Sequence, residues 1–509
     1  MMMTVEPSGK SRGGHTPPKR PPHRWPARAL SLAVLTTLGL GAGHAFAAPP
    51  QIQVPTEEQL QPGQTPQTLE GPDFISGLAR TNYLLGNMGG LRPFLSQYGM
   101  SFALQETSEI LGNVSGGFRQ GFEYDGLTQM ALQLDTSRAF GWHGGTFDAS
   151  ALQYHGRNLS VDNLGSLQTA SGIEADRATR LWELWYDQKF LDEDRLDIKI
   201  GQQSLDQEFI VSQNALLFVN TMFGWPMVPS ADLPGGGPAY PLSALGVRAR
   251  FRPIDPLTFL VGVFNGSPVK ANVVGDPQKA NASGASFPLN GGALVFAEMQ
   301  YSYPSVGSML YADQNEPLAR VYKLGFWYDT ERFADLRFDH AGLSLADPAS
   351  SGVPLRHRGN YSIYATADQL IWVDPEEPDR TISLFARAMG TPQSDRNLID
   401  FSLNLGMTLH EPFPHRDDDT FGVGLGYAKV SSQAAALDQD TAAFVGAFNP
   451  SRTGETFLEV TYQYAVAPWL QLQPDFQYIF NPGGGIANTA GTAKVKDEAV
   501  IGVRTNILF

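Results

Sequence analysis

In the stretch "PWLQLQPDFQYIF", Gln471, Gln473, Asp475 and Gln477 recur at every second position, so an extended chain presents them on one face. "LGVRARFR" does the same with Arg248, Arg250 and Arg252, and "LWELWYDQK" with Glu183, Asp187 and Lys189 set opposite Trp182, Leu184 and Tyr186. Rows of planar amides, carboxylates and guanidinium groups hydrogen-bond hydroxyls, and aromatic rings beside them cover C–H surfaces; this is chemistry for holding a polyhydroxylated solute. A further supply lies in residues 205–242, where Asp206, Gln207, Glu208, Asn220 and Trp225 stand among Phe209, Ile210, Leu216, Leu217, Phe218 and Phe223. That segment is too apolar to stand in water, so it is expected to fold inward against a wall carrying Glu183, Arg248, Arg250, Glu298 and Gln477. With Gln471, Gln473, Asp475 and Arg504, these are the candidate solute-contacting residues.

Bond-breaking chemistry has no comparable signature. No G-x-S-x-G, H-E-x-x-H or EF-hand loop occurs, and no P-loop follows the leader. Cysteine is absent, which removes thiol catalysis and Cys-ligated zinc. The run "HRDDD" (415–419) has the charge to hold a cation but reads as a solvated polar turn. Three of the nine histidines fall in the leader, and none of the others has a partner at metal-ligand spacing, so no metal or cofactor is expected and no enzyme activity. Carboxyl pairs suited to glycoside hydrolysis arise by chance among so many acids. An exported soluble carbohydrate-binding or hydrolytic β-protein therefore stands as the alternative.

The elements that must position these rows are strands. Lys10, Arg12, Lys19, Arg20, Arg24 and Arg28 precede the apolar run "ALSLAVLTTLGLGAGHAFA", which closes on Ala45-Phe46-Ala47, so residues 1–47 are expected to be a secretory signal for the general secretory route. Of 36 Lys/Arg and 51 Asp/Glu, six and one lie in that segment, which leaves 30 against 50 and a net charge of −20. So acidic a chain is a poor partner for nucleic acid. Residues 48–89 form a Pro/Gln-rich extension, and 90–509 carry the structured domain. Beyond the leader no apolar run approaches the ~18 residues of a membrane helix, so a membrane crossing would have to use strands.

Sixteen period-two segments follow, among them 98–109, 319–330, 360–373 and 497–509, each long enough to cross a bilayer at a tilt of about 45°. Their connections sort by parity. Those at 156–178, 205–242, 266–291, 331–359, 432–454 and 480–496 are long and odd-numbered, whereas 191–193, 253–255 and 374–379 are short and even-numbered. Two disobey: 304–318 is long for a turn and 391–396 short for an outer loop. Three arginines directed into hydrocarbon would cost about 2–4 kcal/mol each, so the row Arg248, Arg250, Arg252 must face water and fixes the lumen side. The expected fold is an all-β transmembrane antiparallel barrel with about 16 strands, short periplasmic turns and long extracellular loops, one of them folded into the lumen. The final strand sends Ile501, Val503, Ile507 and Phe509 towards lipid, with Arg504 and Asn506 towards the pore.

In order along the chain, "GLRPFLSQYGMSF", "GNVSGGF", "YHGRNLS", "LWELWYDQKF", "IKIGQQSLDQEF", "FVNTMFGWP", "VFNGSP", "YKLGFWYDT", "LQPDFQYIFNPGG" and "VIGVRTNILF" resemble the carbohydrate-selective porins of the OprB type. The resemblance implies a sixteen-stranded barrel in the bacterial outer membrane that passes glucose and other sugars or polyols by diffusion. Its pattern falls on Gly90, Leu91, Arg92, Gly99, Gly116 and Gly117, on Phe218, Asn220, Phe223, Gly224 and Pro226, and on Pro474, Asp475, Gln477, Tyr478, Pro482 and Gly483. The expected partners are small sugars, outer-membrane lipid and lipopolysaccharide, and the barrel-assembly machinery, for which the terminal Phe509 resembles the recognition signal. A general, non-selective porin is the nearest competing function.

Overall fold

The computed structural model describes residues 82–270, 275–304, 319–446 and 448–509. The expected secretory signal, residues 48–81 of the extension and most of the anomalous connection 304–318 lie outside the described residues. Alternating polar and apolar residues bounded by Gly, Pro and Asp favour strands, and sixteen form. They are β1 (Met100–Ser115), β2 (Gly121–Asp135), β3 (Gly145–Gly156), β4 (Thr179–Phe190), β5 (Leu196–Gln203), β6 (Ala244–Ile254), β7 (Leu257–Asn265) and β8 (Ala293–Tyr303). After these come β9 (Arg320–Asp339), β10 (Pro354–Val373), β11 (Thr381–Gly390), β12 (Ile399–His410), β13 (Thr420–Val430), β14 (Gly454–Ala467), β15 (Leu470–Phe480) and β16 (Glu498–Leu508). Each pairs antiparallel with its neighbour in sequence, and β16 returns to β1 from Gln105 opposite Leu508 to Ser115 opposite Ala499. The sheet closes on itself, which removes the open edge strands that a flat sheet would carry.

Antiparallel order places all odd-numbered connections at one end, which collects 157–178, 204–243, 266–292, 431–453 and 481–497 there. β9 and β10 are longer than their sequence pattern. Beyond Asp329 and before Tyr361 they pair with each other and not with β8 or β11, so a hairpin projects past the rim at the long-connection end. Much of the expected loop 331–359 is therefore strand. At the other end, the helix Leu91–Ser96 sets Arg92 against the chain terminus. The Arg92 guanidinium donates to the carbonyls of Phe509 and Gly86 and lies 4.0 Å over the Tyr83 ring, while Leu84 N donates to Leu508 O at 2.8 Å. Residues from Tyr83 onward thus pack on the β1–β16 seam.

The faces follow the alternation except where bulges interrupt it, as in β4, β10 and β12. Ile501 and Val503 point outward while Arg504 and Asn506 are buried inside, and Gln473, Asp475 and Gln477 are buried opposite exposed Leu472 and Phe476. In β4, however, Ala149 pairs with Leu184 and Ala151 with Leu181, so Trp182 and Glu183 together oppose Ser150. This β-bulge turns Trp182 inward as well as Glu183. Trp182 packs with Leu127, Leu152, Tyr154 and Ile173 rather than against lipid. On the outer wall Glu106 is satisfied by side chains alone, accepting from Thr128 Oγ1 at 2.5 Å and lying 3.5 Å from His155 Nε2.

The largest apolar cluster lies inside the barrel. Phe209, Leu217, Phe218, Phe223 and Trp225 of the segment 204–243 pack against Phe264, Phe296, Trp327, Phe385 and Phe457 of the wall. Gly422, Gly424 and Gly426 of β13 make room for them. A Cβ at Gly422 would sit 2.5 Å from Leu217 Cδ2, and one at Gly424 2.5 Å from Phe223 Cζ. The strand is extended here, so these glycines serve close approach rather than unusual backbone angles. Replacing Gly424 with Val is expected to leave the barrel closed but dislodge Phe223, lowering stability by about 1–3 kcal/mol. Thermal unfolding in detergent measures the loss, and limited proteolysis should then cut within 204–243.

Candidate functional site

The segment 204–243 enters the lumen from β5, crosses it and returns to β6, and the wall fixes it by its backbone. Ile210 N donates to Glu298 Oε2 at 2.8 Å, and Asn214 N to Asp368 Oδ1 at 3.2 Å. Val219 N and Asn220 N donate to the two carboxyl oxygens of Glu459 at 2.5 and 3.0 Å. Carbonyl groups meet cations. Arg387 donates to the carbonyls of Ile210, Met222, Phe223 and Gly224, and Lys323 Nζ to Val211 O at 2.7 Å. Asn220 also caps the short turn Thr221–Gly224 through Met222 N, while its amide donates to Gln477 Oε1 at 3.0 Å.

A second connection enters beside it. Leu167 N and Gln168 N donate to Glu455 at 2.7 and 2.8 Å, and Ser171 Oγ donates to Glu109 Oε2 at 2.5 Å. Gly172 N donates to Val219 O at 2.8 Å, and Thr221 N to Thr169 O at 3.1 Å, so 157–178 and 204–243 are bonded to each other inside the barrel. The expectation of one inward loop is thus short by one. Length and apolar content single out 205–242, whereas 157–178 enters through backbone N–H groups that carry no sequence signal. Within it, Glu174 accepts from Ser160 N and Oγ at 3.1 and 2.9 Å, and burial pushes its carboxyl up to about 8 against those hydrogen bonds.

Most of the candidate residues fall into two groups, one around β4–β6 and one around β15–β16. Glu183, Asp206, Glu208, Arg248 and Arg250 gather where 204–243 leaves β5. Glu183 accepts from Ser204 N at 2.8 Å, and Asp206 accepts from Ser204 Oγ at 2.6 Å and Tyr240 N at 3.1 Å. Arg248 bonds Asp197 and lies 2.6 Å from Glu208, which also pairs with Lys199, and Arg250 bonds Asp197 at 2.6 Å. The other group is Asn220, Gln473, Asp475, Gln477 and Arg504. Gln473 Nε2 donates to Leu217 O at 2.7 Å, Gln477 Nε2 to Asp475 Oδ1 at 3.0 Å, and Arg504 Nε to Glu109 Oε1 at 2.5 Å.

Three candidates stand apart from both groups. Glu298 holds Ile210 and the Tyr364 hydroxyl, Trp225 donates its indole N–H to Gly236 O at 2.9 Å, and Gln471 bonds Gln463 near the short-turn end. Most of these side chains are buried by the inward segments, Asn220, Gln473, Gln477 and Arg504 almost completely. Glu183, Glu208, Arg250 and Gln471 keep part of their surface exposed. Arg387, Glu455 and Glu459 are the site residues that sequence reasoning missed. Their signal is charge on the inward face, in "SLFARAMG" and "GETFLEVTYQY".

The arrangement is a closed barrel whose lumen is narrowed by anchored loops, and it has close parallels. Porin B of Pseudomonas aeruginosa is 25% identical over 448 residues, covering 84% of this chain and 92% of its own. The high-pH structure of Pseudomonas putida OprB superposes with a TM-score of 0.71 at 23% identity, over 84% of this chain and 98% of that one. The family described as carbohydrate-selective porin, OprB family, matches residues 119–509. By that match, over most of its length, the chain belongs to the OprB family of carbohydrate-selective porins.

Proposed function

We infer that the protein is a passive, water-filled channel of the bacterial outer membrane, selective for glucose and related sugars or polyols, that works without cofactor or energy input. The observation that carries this reading is the wall-to-wall course of 204–243. It narrows the lumen as fixed structure and leaves its own Glu208 and the wall's Arg250 partly exposed. The long-connection end faces the cell exterior and the short-turn end the periplasm, the outer band contacts lipid and lipopolysaccharide, and β16 with Phe509 addresses the barrel-assembly machinery. Glu208, Arg250 and Gln471 contact the sugar. The buried members of the candidate set act one step back, by holding the loop that shapes the constriction.

In a planar bilayer, glucose and related polyols are expected to lower the ion current through the open pore in a saturable manner. A current indifferent to sugars yet sensitive to competing small ions would make this a general porin. Arg387→Ala leaves four loop carbonyls without their donor, at a cost of about 1–3 kcal/mol for each one left bare. Its expected phenotype is a higher conductance with a weakened sugar block.

Deleting Phe509 removes a residue whose N–H pairs with Leu104 O at 3.0 Å and whose carbonyl receives Arg92. The amount of barrel in the outer membrane should fall, while molecules that do insert keep wild-type conductance. Equal insertion of both chains, measured by heat-modifiable mobility of membrane fractions, would remove Phe509 from the address.

A further inference from the structure

Outside the lumen, the projecting β9–β10 hairpin assembles three ligating side chains that solute passage does not use. Asp335 stands on β9, His357 on β10 and Asp395 in the short connection 391–398. His357 Nε2 lies 2.7 Å from Asp335 Oδ2 and 3.6 Å from Asp395 Oδ2, and the three ligand atoms all fall within 4.8 Å of one another. Among the described residues this is the one such grouping of three.

We propose that Asp335, His357 and Asp395 form a binding site for a divalent first-row transition metal of the zinc or manganese class at the rim of the barrel. One imidazole nitrogen with two carboxylate oxygens suits these borderline ions, whereas calcium and magnesium favour shells made of oxygen alone. Three protein ligands leave the remaining coordination positions to water.

Asp335 is held from behind, as metal ligands usually are. The second oxygen of Asp335 accepts Arg337 N at 2.8 Å and Phe338 N at 2.7 Å, which turns Oδ2 towards His357. Arg396 Nε donates to Asp395 Oδ1 at 2.8 Å and Arg396 Nη2 to Asp395 Oδ2 at 3.0 Å, so the guanidinium shares with the site the oxygen that faces His357, and Arg396 also donates to Gly359 O at 2.7 Å. Leu336 N donates to Asp395 O at 2.8 Å, so the backbone already ties the hairpin to the connection that supplies the third ligand. With Arg396 counted, the two carboxylates leave one net negative charge to meet a dication.

The reason sequence spacing shows no metal motif is plain: Asp335 and His357 are 22 residues apart and meet only through the β9–β10 pairing. That connection 391–398 is short for its end of the barrel also gains a purpose, since it need only reach the hairpin.

The test uses the full chain purified in detergent and stripped with a chelator. Calorimetric titration with zinc should give one equivalent that calcium does not displace, and zinc should raise the unfolding temperature. His357→Gln and Asp395→Asn should each weaken that binding by about tenfold or more and remove the thermal shift, with heat-modifiable mobility confirming that both variants are folded barrels. Manganese, followed by its paramagnetic resonance, should compete with zinc in the wild type only. Wild-type zinc binding in His357→Gln would assign the metal to other histidines and overturn the site. Failure of the stripped wild type to bind zinc or manganese would reduce the triad to an ion pair.

Discussion

Irregular backbone inside a barrel must find a partner for each N–H and C=O, because each group buried bare costs about 1–3 kcal/mol. The inner wall meets that demand with charged and acidic side chains. Carboxyl oxygens of Glu298, Asp368, Glu455 and Glu459 accept the loop N–H groups, and Arg387, Arg504 and Lys323 donate to loop carbonyls. Hydrogen bonds from a guanidinium or ammonium are about twice as strong as neutral ones. Several anchors hold two or more successive backbone groups, so they fix the direction of the chain as well as its place. The closed barrel is what keeps those anchors at the correct separation.

Packing then completes what polarity begins. Burying a Phe side chain contributes about 1.5–3 kcal/mol, and the loop buries Phe209, Phe218 and Phe223 against wall positions cleared by Gly422 and Gly424. Phe218 and Phe223 stack 4.4 Å apart, and both reach Phe385, whose strand also carries Arg387. The same strand therefore supplies an apolar seat and a polar clamp two residues apart. A segment held by both is a fixed constriction, not a flap that swings free.

The strands, their order and their lumen face were legible because alternation in a strand reports directly which side meets water. Face was all it reported. Gln473, Gln477 and Arg504 share the expected inner face, yet their neighbours are loop atoms rather than bulk water, and no periodicity distinguishes the two. The bulge at Trp182 was hidden for a related reason: one extra residue in β4 looks like uninterrupted alternation until the partner Ser150 is known. The partner of Arg92 and the second inward connection were invisible because each contact acts across hundreds of residues, Arg92 on Phe509 and Leu167 on Glu455.

These anchors also decide what the wall presents to a passing solute. Several lumen charges are paired: Arg248 is matched by Asp197 and Glu208, Arg250 by Asp197, and Arg504 by Glu109. An unpaired ring of charge draws in counter-ions and holds them. Paired charges act instead as dipoles whose influence fades within a few ångströms, so they orient a hydroxyl donor or acceptor without trapping an ion. Glu208 and Arg250 sit at this junction, since each is bound into a pair yet keeps exposed surface. Two of these pairs also touch the inward loop, Arg248 through Glu208 and Arg504 through the Val219 carbonyl, so the constriction and its charge balance share residues. Loosening a pair to widen the pore would at the same time free a charge and shift the channel towards ions.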